Sequence, residues 1–162
     1  MRIVARLLRR LDQADVNTLA SRIGARLQRR GIAELYGSDF NPSFQQSGYA
    51  AVGRDAVLLV TLNKAQMDIG KDYIDAFESP TTFTWSSQAT TSPDSKRGRE
   101  VLDALETGMR LHLWARADAS TREFEYCGLI APLSHEGSRP IQVRFRLLTP
   151  LISEAWSRLN AG

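Results

Sequence analysis

Three stretches in the second half of the chain alternate apolar and polar residues with a period of two, and that pattern excludes an all-helical fold. RLHLWAR at 110 to 116 sets Leu111, Leu113 and Ala115 against His112 and Trp114, and REFEYCGLI at 122 to 130 puts Phe124 and Tyr126 on one side. PIQVRFRLL at 140 to 148 sets Ile141, Val143, Phe145 and Leu147 against Gln142, Arg144 and Arg146. Each reads as a strand with one buried face. AVLLVTLN at 56 to 63 is aliphatic throughout and reads as a buried strand, paired with YAAV at 49 to 52 across Gly53-Arg54-Asp55. Phe83-Thr84-Trp85 is a further short strand.

Helices are few. MRIVARLLRRL at 1 to 11 is amphipathic, and a second helix runs from a cap at Asp15 to a stop at Gly31, with Val16, Leu19, Ile23 and Leu27 along one side. A third starts at Ser92 as N-cap with Pro93 in its first turn and ends before Gly108, and the last starts at Pro150. The expectation is an α+β fold: a small curved, mainly antiparallel sheet or partly open barrel with an N-terminal helical pair. The chain then divides into a basic helical arm at 1–35 and a strand-rich body at 36–162.

At 162 residues, 43% hydrophobic and 24% charged, the chain makes one domain of ordinary size. No run nears the roughly 18 apolar residues of a membrane span, and no cleavable leader is recognisable, so a cytoplasmic location is expected. A single cysteine, Cys127, excludes an internal disulfide and a cysteine zinc cluster, and two histidines, His112 and His135, are too few for most metal sites. No cofactor is expected.

Charge is unevenly spread. Residues 1 to 30 hold eight arginines against Asp12 and Asp15, which is +6 on a chain of net +3, so the remainder carries −3. Such a cluster is the footprint of a polyanion partner, or else a solvated helix face in an arginine-rich chain, as 18 arginines to 3 lysines suggest. Arg22, Arg26, Arg29 and Arg30 are the candidate phosphate contacts.

Catalytic patterns are missing. His112 sits mid-strand and reads as a hydrogen-bonding structural residue, His135 lies in a loop, and neither has a serine or Cys127 beside it in sequence. Asp68, Asp72 and Asp75 lack the glycine and glutamate of a calcium loop, and there is no phosphate-cradling glycine loop for ATP or NAD. An enzyme is therefore not expected. Aromatic residues in or beside loops, namely Phe40, Phe44, Tyr49, Tyr73, Phe77, Phe83 and Trp85, interleave with Asn41, Asp72, Asp75, Ser86, Ser87 and Gln88. Flat apolar walls with a few polar groups suit a flipped nucleobase; the competing reading makes the rings core, and it is preferred for Phe77 and Phe83.

The ordered strings DYIDAF (72 to 77), FTWSSQ (83 to 88), TTSPDS (90 to 95), LHLWAR (111 to 116), FEYCG (124 to 128) and VRFRLLTP (143 to 150) resemble a bacterial family. It is the uncharacterised C-terminal domain of restriction-type helicases that carry a phospholipase-D-like nuclease, also found joined to HNH nucleases. The resemblance covers about residues 36 to 150. It implies a PUA/SRA/EVE-like fold that reads methylated or hydroxymethylated cytosine in double-stranded DNA for a restriction or phage-defence system. On that resemblance Tyr73 and Trp85 become stacking walls, Asp75, Ser87 and Gln88 meet the base edge, and Asp72 is a weaker candidate. A carboxylate can accept from the cytosine amine, and an amide or hydroxyl can meet its ring nitrogen or carbonyl. Family members carry a helicase or nuclease beside the domain, so the implied effector acts in cis or in trans. Two other readings stay open: a protein-interaction or assembly module, with a homodimer among its forms, and an RNA-binding PUA-like domain.

Overall fold

A computed structural model describes residues 22 to 63 and 75 to 160. The helix expected at 1 to 11 and the first part of the second helix lie outside the described residues, as do Asp72 and Tyr73. What is described of the second helix corrects the expectation. Gly24 has φ +94°, a conformation that no helix interior tolerates, and residues 22 to 25 form a turn leading into β1 (Arg26–Leu27), which pairs antiparallel with β7. The helix α1 starts afterwards, at Arg29–Leu35, and Gly31 lies inside it rather than ending it. A spacing of four between Ile23 and Leu27 had suggested one helix face, but both side chains instead pack on the sheet.

The strands follow as β2 (Tyr49–Val52), β3 (Asp55–Asn63), β4 (Ala76–Ser79), β5 (Thr82–Ser86), β6 (Arg110–Asp118), β7 (Phe124–Glu136) and β8 (Gln142–Leu147). Between them lie α2 (Pro42–Gln46), α3 (Lys96–Leu102), α4 (Ala104–Thr107) and, last, α5 (Ser153–Leu159). The sheet runs β2-β3-β6-β7-β8-β5-β4. All pairings are antiparallel except β3 with β6, which are parallel because the connection between them carries β4, β5, α3 and α4. β7 bends where Gly128, at φ +98°, accompanies a register shift, so its first half pairs with β6 and its second with β8.

Both faces of the central strands are covered, as a parallel pair requires. Ala56, Leu58 and Val60 of β3 and Leu111, Leu113 and Ala115 of β6 share a core with Val101 of α3 and with Ala155 and Leu159 of α5. Val57, Leu59, Trp114, Phe124 and Tyr126 pack on the other face under Ile32 and Ala33 of α1 and Phe44 of α2. Phe77 and Phe83 are core residues, as expected, and Trp114 faces inward.

The helix expected from Ser92 begins at Lys96. Ser95 is its cap, accepting from Gly98 N–H at 3.1 Å while donating to the Ser92 carbonyl at 2.7 Å. Residue 98 has to be glycine: a Cβ there would stand 2.0 Å from the Ser92 oxygen. This approach ties the loop after β5 to α3. The last helix starts three residues later than Pro150, at Ser153, after buried Leu151 has anchored the chain to the core.

Although β2 and β5 stand near opposite ends of the strand order, the rings of Tyr49 on β2 and Trp85 on β5 lie 6.4 Å apart. The sheet has therefore curled until its two ends face each other without hydrogen bonding into a closed barrel.

Candidate functional site

That gap between the two ends of the sheet holds a cavity of about 350 Å³, within the size range of small-ligand pockets, roughly 300–1,000 Å³. β3 contributes Leu59 and Thr61, β5 and the loop after it contribute Trp85 to Ala89, and Asp75 enters from the residue before β4. Gln46 of α2, Gly48, Tyr49 of β2, Arg29 of α1 and Arg116 of β6 complete the lining among the described residues. Of the base-pocket residues expected from the sequence, Asp75, Trp85, Ser87 and Gln88 are thus brought together, and Asp72 and Tyr73 lie outside the described residues.

Trp85 is 6% exposed and packs against Tyr49 and, at 6.0 Å between ring centroids, Phe145. It serves as core and cavity wall at once. Asp75 is 5% exposed, and its Oδ1 accepts the Ser86 N–H at 2.8 Å. Ser87 is bound into the sheet on both sides: its N–H donates to the Ile141 carbonyl at 2.9 Å, its Oγ accepts the Ile141 N–H at 2.9 Å, and the hydroxyl donates to the Gln88 carbonyl at 3.0 Å. Gln88 spans the gap, with Nε2 donating to Ser47 Oγ at 2.7 Å and Oε1 accepting from Arg97. These contacts fix its amide orientation and leave it one N–H and one lone pair for a ligand.

Two further participants are Tyr49, one of the loop aromatics noted in the sequence, and Arg116, which no local pattern marks. Tyr49 is held by its hydroxyl on Glu100 at 3.0 Å and lies under Arg97, whose guanidinium is 5.5 Å from the ring centroid. Burial, and then the neighbouring Glu100 carboxylate, push the Tyr49 hydroxyl well above the usual phenol range, so it stays protonated. Arg116 reaches the cavity because the parallel register sets it opposite Thr61, to whose Oγ1 its Nε donates at 2.9 Å. Nothing local in LHLWAR reveals that neighbour.

The candidate phosphate contacts are dispersed. Arg29 is half-buried in the cavity wall, and Arg30 is exposed with its guanidinium 4.4 Å from the Phe40 ring centroid. Arg26 lies 3.6 Å from Glu125, which it shares with Arg158, and Arg22 is exposed in the turn before β1.

His112 is 0% exposed and takes no part in the cavity. Its Nε2 is 2.7 Å from Asp55 Oδ1 and its Nδ1 is 2.9 Å from the Tyr126 hydroxyl. Burial holds the imidazole below its ordinary range despite the carboxylate, so the neutral ring donates from Nε2 to Asp55 and accepts from Tyr126 at Nδ1. Burial would raise Asp55, but hydrogen bonds from His112 and Arg110 outweigh it and hold the carboxyl below its usual range. The expected structural role is the observed one. A larger concavity of about 380 Å³ between Glu78 and His135 is open, and its ion pair from Arg144 to Glu78 at 3.1 Å is exposed. Among the described residues no group of three His, Cys, Asp or Glu is placed to hold a metal, and no helix is long and apolar enough to cross a membrane.

The fold has solved counterparts. The SRA domain of SUVH5 in a complex with hemi-methylated CG DNA aligns with a TM-score of 0.53 at 13% identity, covering 77% of this chain and 86% of that one. The same domain with methylated CHH DNA gives 0.52 at 13%, covering 77% and 87%. A looser likeness, at 0.43 and 16% over 71% and 67%, is to the DNA recognition domain of the cytosine modification-dependent restriction endonuclease LpnPI. No curated protein matches the chain. The curled sheet with its few helices is SRA-like. The family model for the domain of unknown function DUF3427 matches residues 22–159, spanning every described element, and the chain belongs to that family.

Proposed function

We propose that this chain is a DNA-binding recognition module that holds a flipped, modified cytosine in the cavity between the two ends of its sheet. The observation that carries the reading is the convergence of Trp85, Asp75 and Gln88, with Ser87 beside them, on one cavity in an SRA-like fold. An indole offers a face for stacking, a carboxylate accepts from the exocyclic amine, and the remaining amide N–H of Gln88 donates to the ring nitrogen or carbonyl, the Ser87 hydroxyl proton being held by the Gln88 carbonyl. The SUVH5 domains of the same fold are complexed with methylated DNA, which supports the same class of ligand here. Tyr73, two residues before Asp75, is the proposed second stacking wall, with Asp72 beside it. The exposed arginines Arg22, Arg26 and Arg30 supply backbone contacts that position the duplex without reading it. The effector in this reading is a helicase or nuclease joined to the module or acting in trans.

A gel-shift panel at fixed salt tests the reading with otherwise identical duplexes carrying plain, methylated, hydroxymethylated or glucosylated cytosine. Tighter retention of at least one modified duplex than of the plain one is expected. Equal retention of all four overturns the proposal, and stronger retention of a matched RNA redirects it.

A further inference from the structure

Two guanidinium groups share one aromatic ring at this cavity. Arg116 stands 4.4 Å and Arg29 5.1 Å from the centroid of Phe124, whose side chain is fully buried beneath them. Among the described residues every hydrogen bond these arginines make goes to a neutral acceptor. Arg29 Nη1 donates to the carbonyls of Phe44 and Ser47 at 3.2 and 2.8 Å, and Arg116 donates from Nε to Thr61 Oγ1 and from Nη1 to the Thr121 carbonyl at 3.0 Å. Neither is in an ion pair among the described residues.

Donors remain. The Nη2 groups of both arginines make no hydrogen bond among the described residues, and no buried side-chain nitrogen or oxygen there lacks a partner, so these donors reach solvent. Both arginines line the same cavity, and burial, then the charge of Arg116, lowers the Arg29 pKa below its ordinary value, while on Arg116 burial outweighs the attraction of Asp118. An anion between them would relieve that repulsion, and the stacked guanidiniums are already fixed in place to receive it.

Resting on the modified-base reading, we propose that Arg29 and Arg116 clamp one phosphodiester, that of the nucleotide whose base enters the cavity. A charged oxygen on the base itself is the other conceivable source of an anion. Asp75 in the same lining opposes it, because a carboxylate beside the base edge repels an anionic substituent. The clamp thus couples base capture to backbone position: a base inserts fully when its own phosphate is seated.

The experiment measures binding of duplexes with one modified cytosine by fluorescence anisotropy. A neutral methylphosphonate replaces either phosphodiester flanking that cytosine, or one three nucleotides away. Neutralising one flanking phosphate should weaken binding by about ten- to a hundredfold, the range for charge-assisted hydrogen bonds, and the distant one far less. In Arg116→Gln the same flanking replacement should cost nothing further. Equal losses at flanking and distant positions in the unmodified protein overturn the clamp, and that arm decides the matter alone if Arg116→Gln fails to fold. Losses that multiply in Arg116→Gln overturn it too, as does dependence on Arg116 confined to a duplex with 5-carboxylcytosine. A protein that shows no preference for modified over plain duplex instead sinks the base reading itself, a different result from retained preference without coupling.

Discussion

The carboxylate of Asp75 accepts the backbone N–H of Ser86 at 2.8 Å, tying the start of one hairpin arm to the end of the other across β4 and β5. Asp75→Asn keeps an Oδ1 acceptor for that bond while turning the second carboxylate oxygen into a donor. The expected outcome is a loss of preference for modified cytosine, whose amine then meets another donor, in a variant that thermal melts show to be folded. Parallel thermal melts and competition binding check this. Preserved preference in a folded variant removes Asp75 from base reading.

Trp85 has two duties that substitutions can separate. Trp85→Ala empties a buried site between Tyr49 and Phe145 and should destabilise the protein by about 3–5 kcal/mol, the usual cost of removing a large core ring. Trp85→Phe keeps an aromatic wall and most of the packing, so it should stay folded and bind modified DNA more weakly than the parent yet better than Trp85→Ala. Denaturant melts alongside binding separate the stability loss from the stacking loss.

Acid should loosen the molecule through one buried pair. The His112 pKa is lowered on folding, so below the unfolded value of about 6.5 the unfolded chain takes up a proton that the folded one resists, and stability falls as pH falls. Asp55 is lowered as well, so its contribution is present above about pH 4 and disappears as pH drops through its folded value. Both act in the same direction. The slope from His112 grows as pH falls below the unfolded value, with about 1.4 kcal/mol per pH unit as its ceiling, and His112→Gln should flatten it between pH 6.5 and 5. Chemical denaturation across that range measures it.

Salt dependence should sort the surface arginines. Arg30 rests on Phe40 with no carboxylate partner among the described residues, whereas Arg26 faces Glu125. If both touch DNA, Arg30→Gln should reduce the slope of log K against log salt by about 0.9, one phosphate contact, and Arg26→Gln by less. A titration series from low to moderate salt gives both slopes, and an unchanged slope for Arg30→Gln removes it from the interface.

Local sequence carried the reading where the interactions are local. YAAV, the turn Gly53-Arg54-Asp55 and AVLLVTLN announce the β2–β3 hairpin because they are contiguous in the chain, and the structure only moves Asp55 from the turn into β3. Asp75, Trp85, Ser87 and Gln88 were grouped from the sequence and meet in space because one hairpin carries the first three, with Gln88 next in the chain. Tyr49, Arg116 and Arg29 were not assigned to the cavity: it takes the parallel β3–β6 register and the curl of the sheet to bring them there, and neither leaves a periodic trace. Gly24 shows the opposite failure. The apolar spacing of Ile23 and Leu27 points to a helix, whereas the positive φ of Gly24 and the pairing of Arg26 with Glu125 decide the structure.

The order of strands also sets a timetable for synthesis. β5, which carries Trp85, joins the rest of the sheet through β8, and Ser87 is fastened by Ile141 immediately before that strand. The wall of the cavity therefore waits for residues made more than fifty positions after it, a high contact order of the kind that slows folding. A nascent chain stalled before residue 142 has its β2–β3 hairpin and its β6–β7 pair in hand but nothing to hold β5 against them. Such a chain lacks one wall of the cavity, so the cavity takes shape only once β8 has been made.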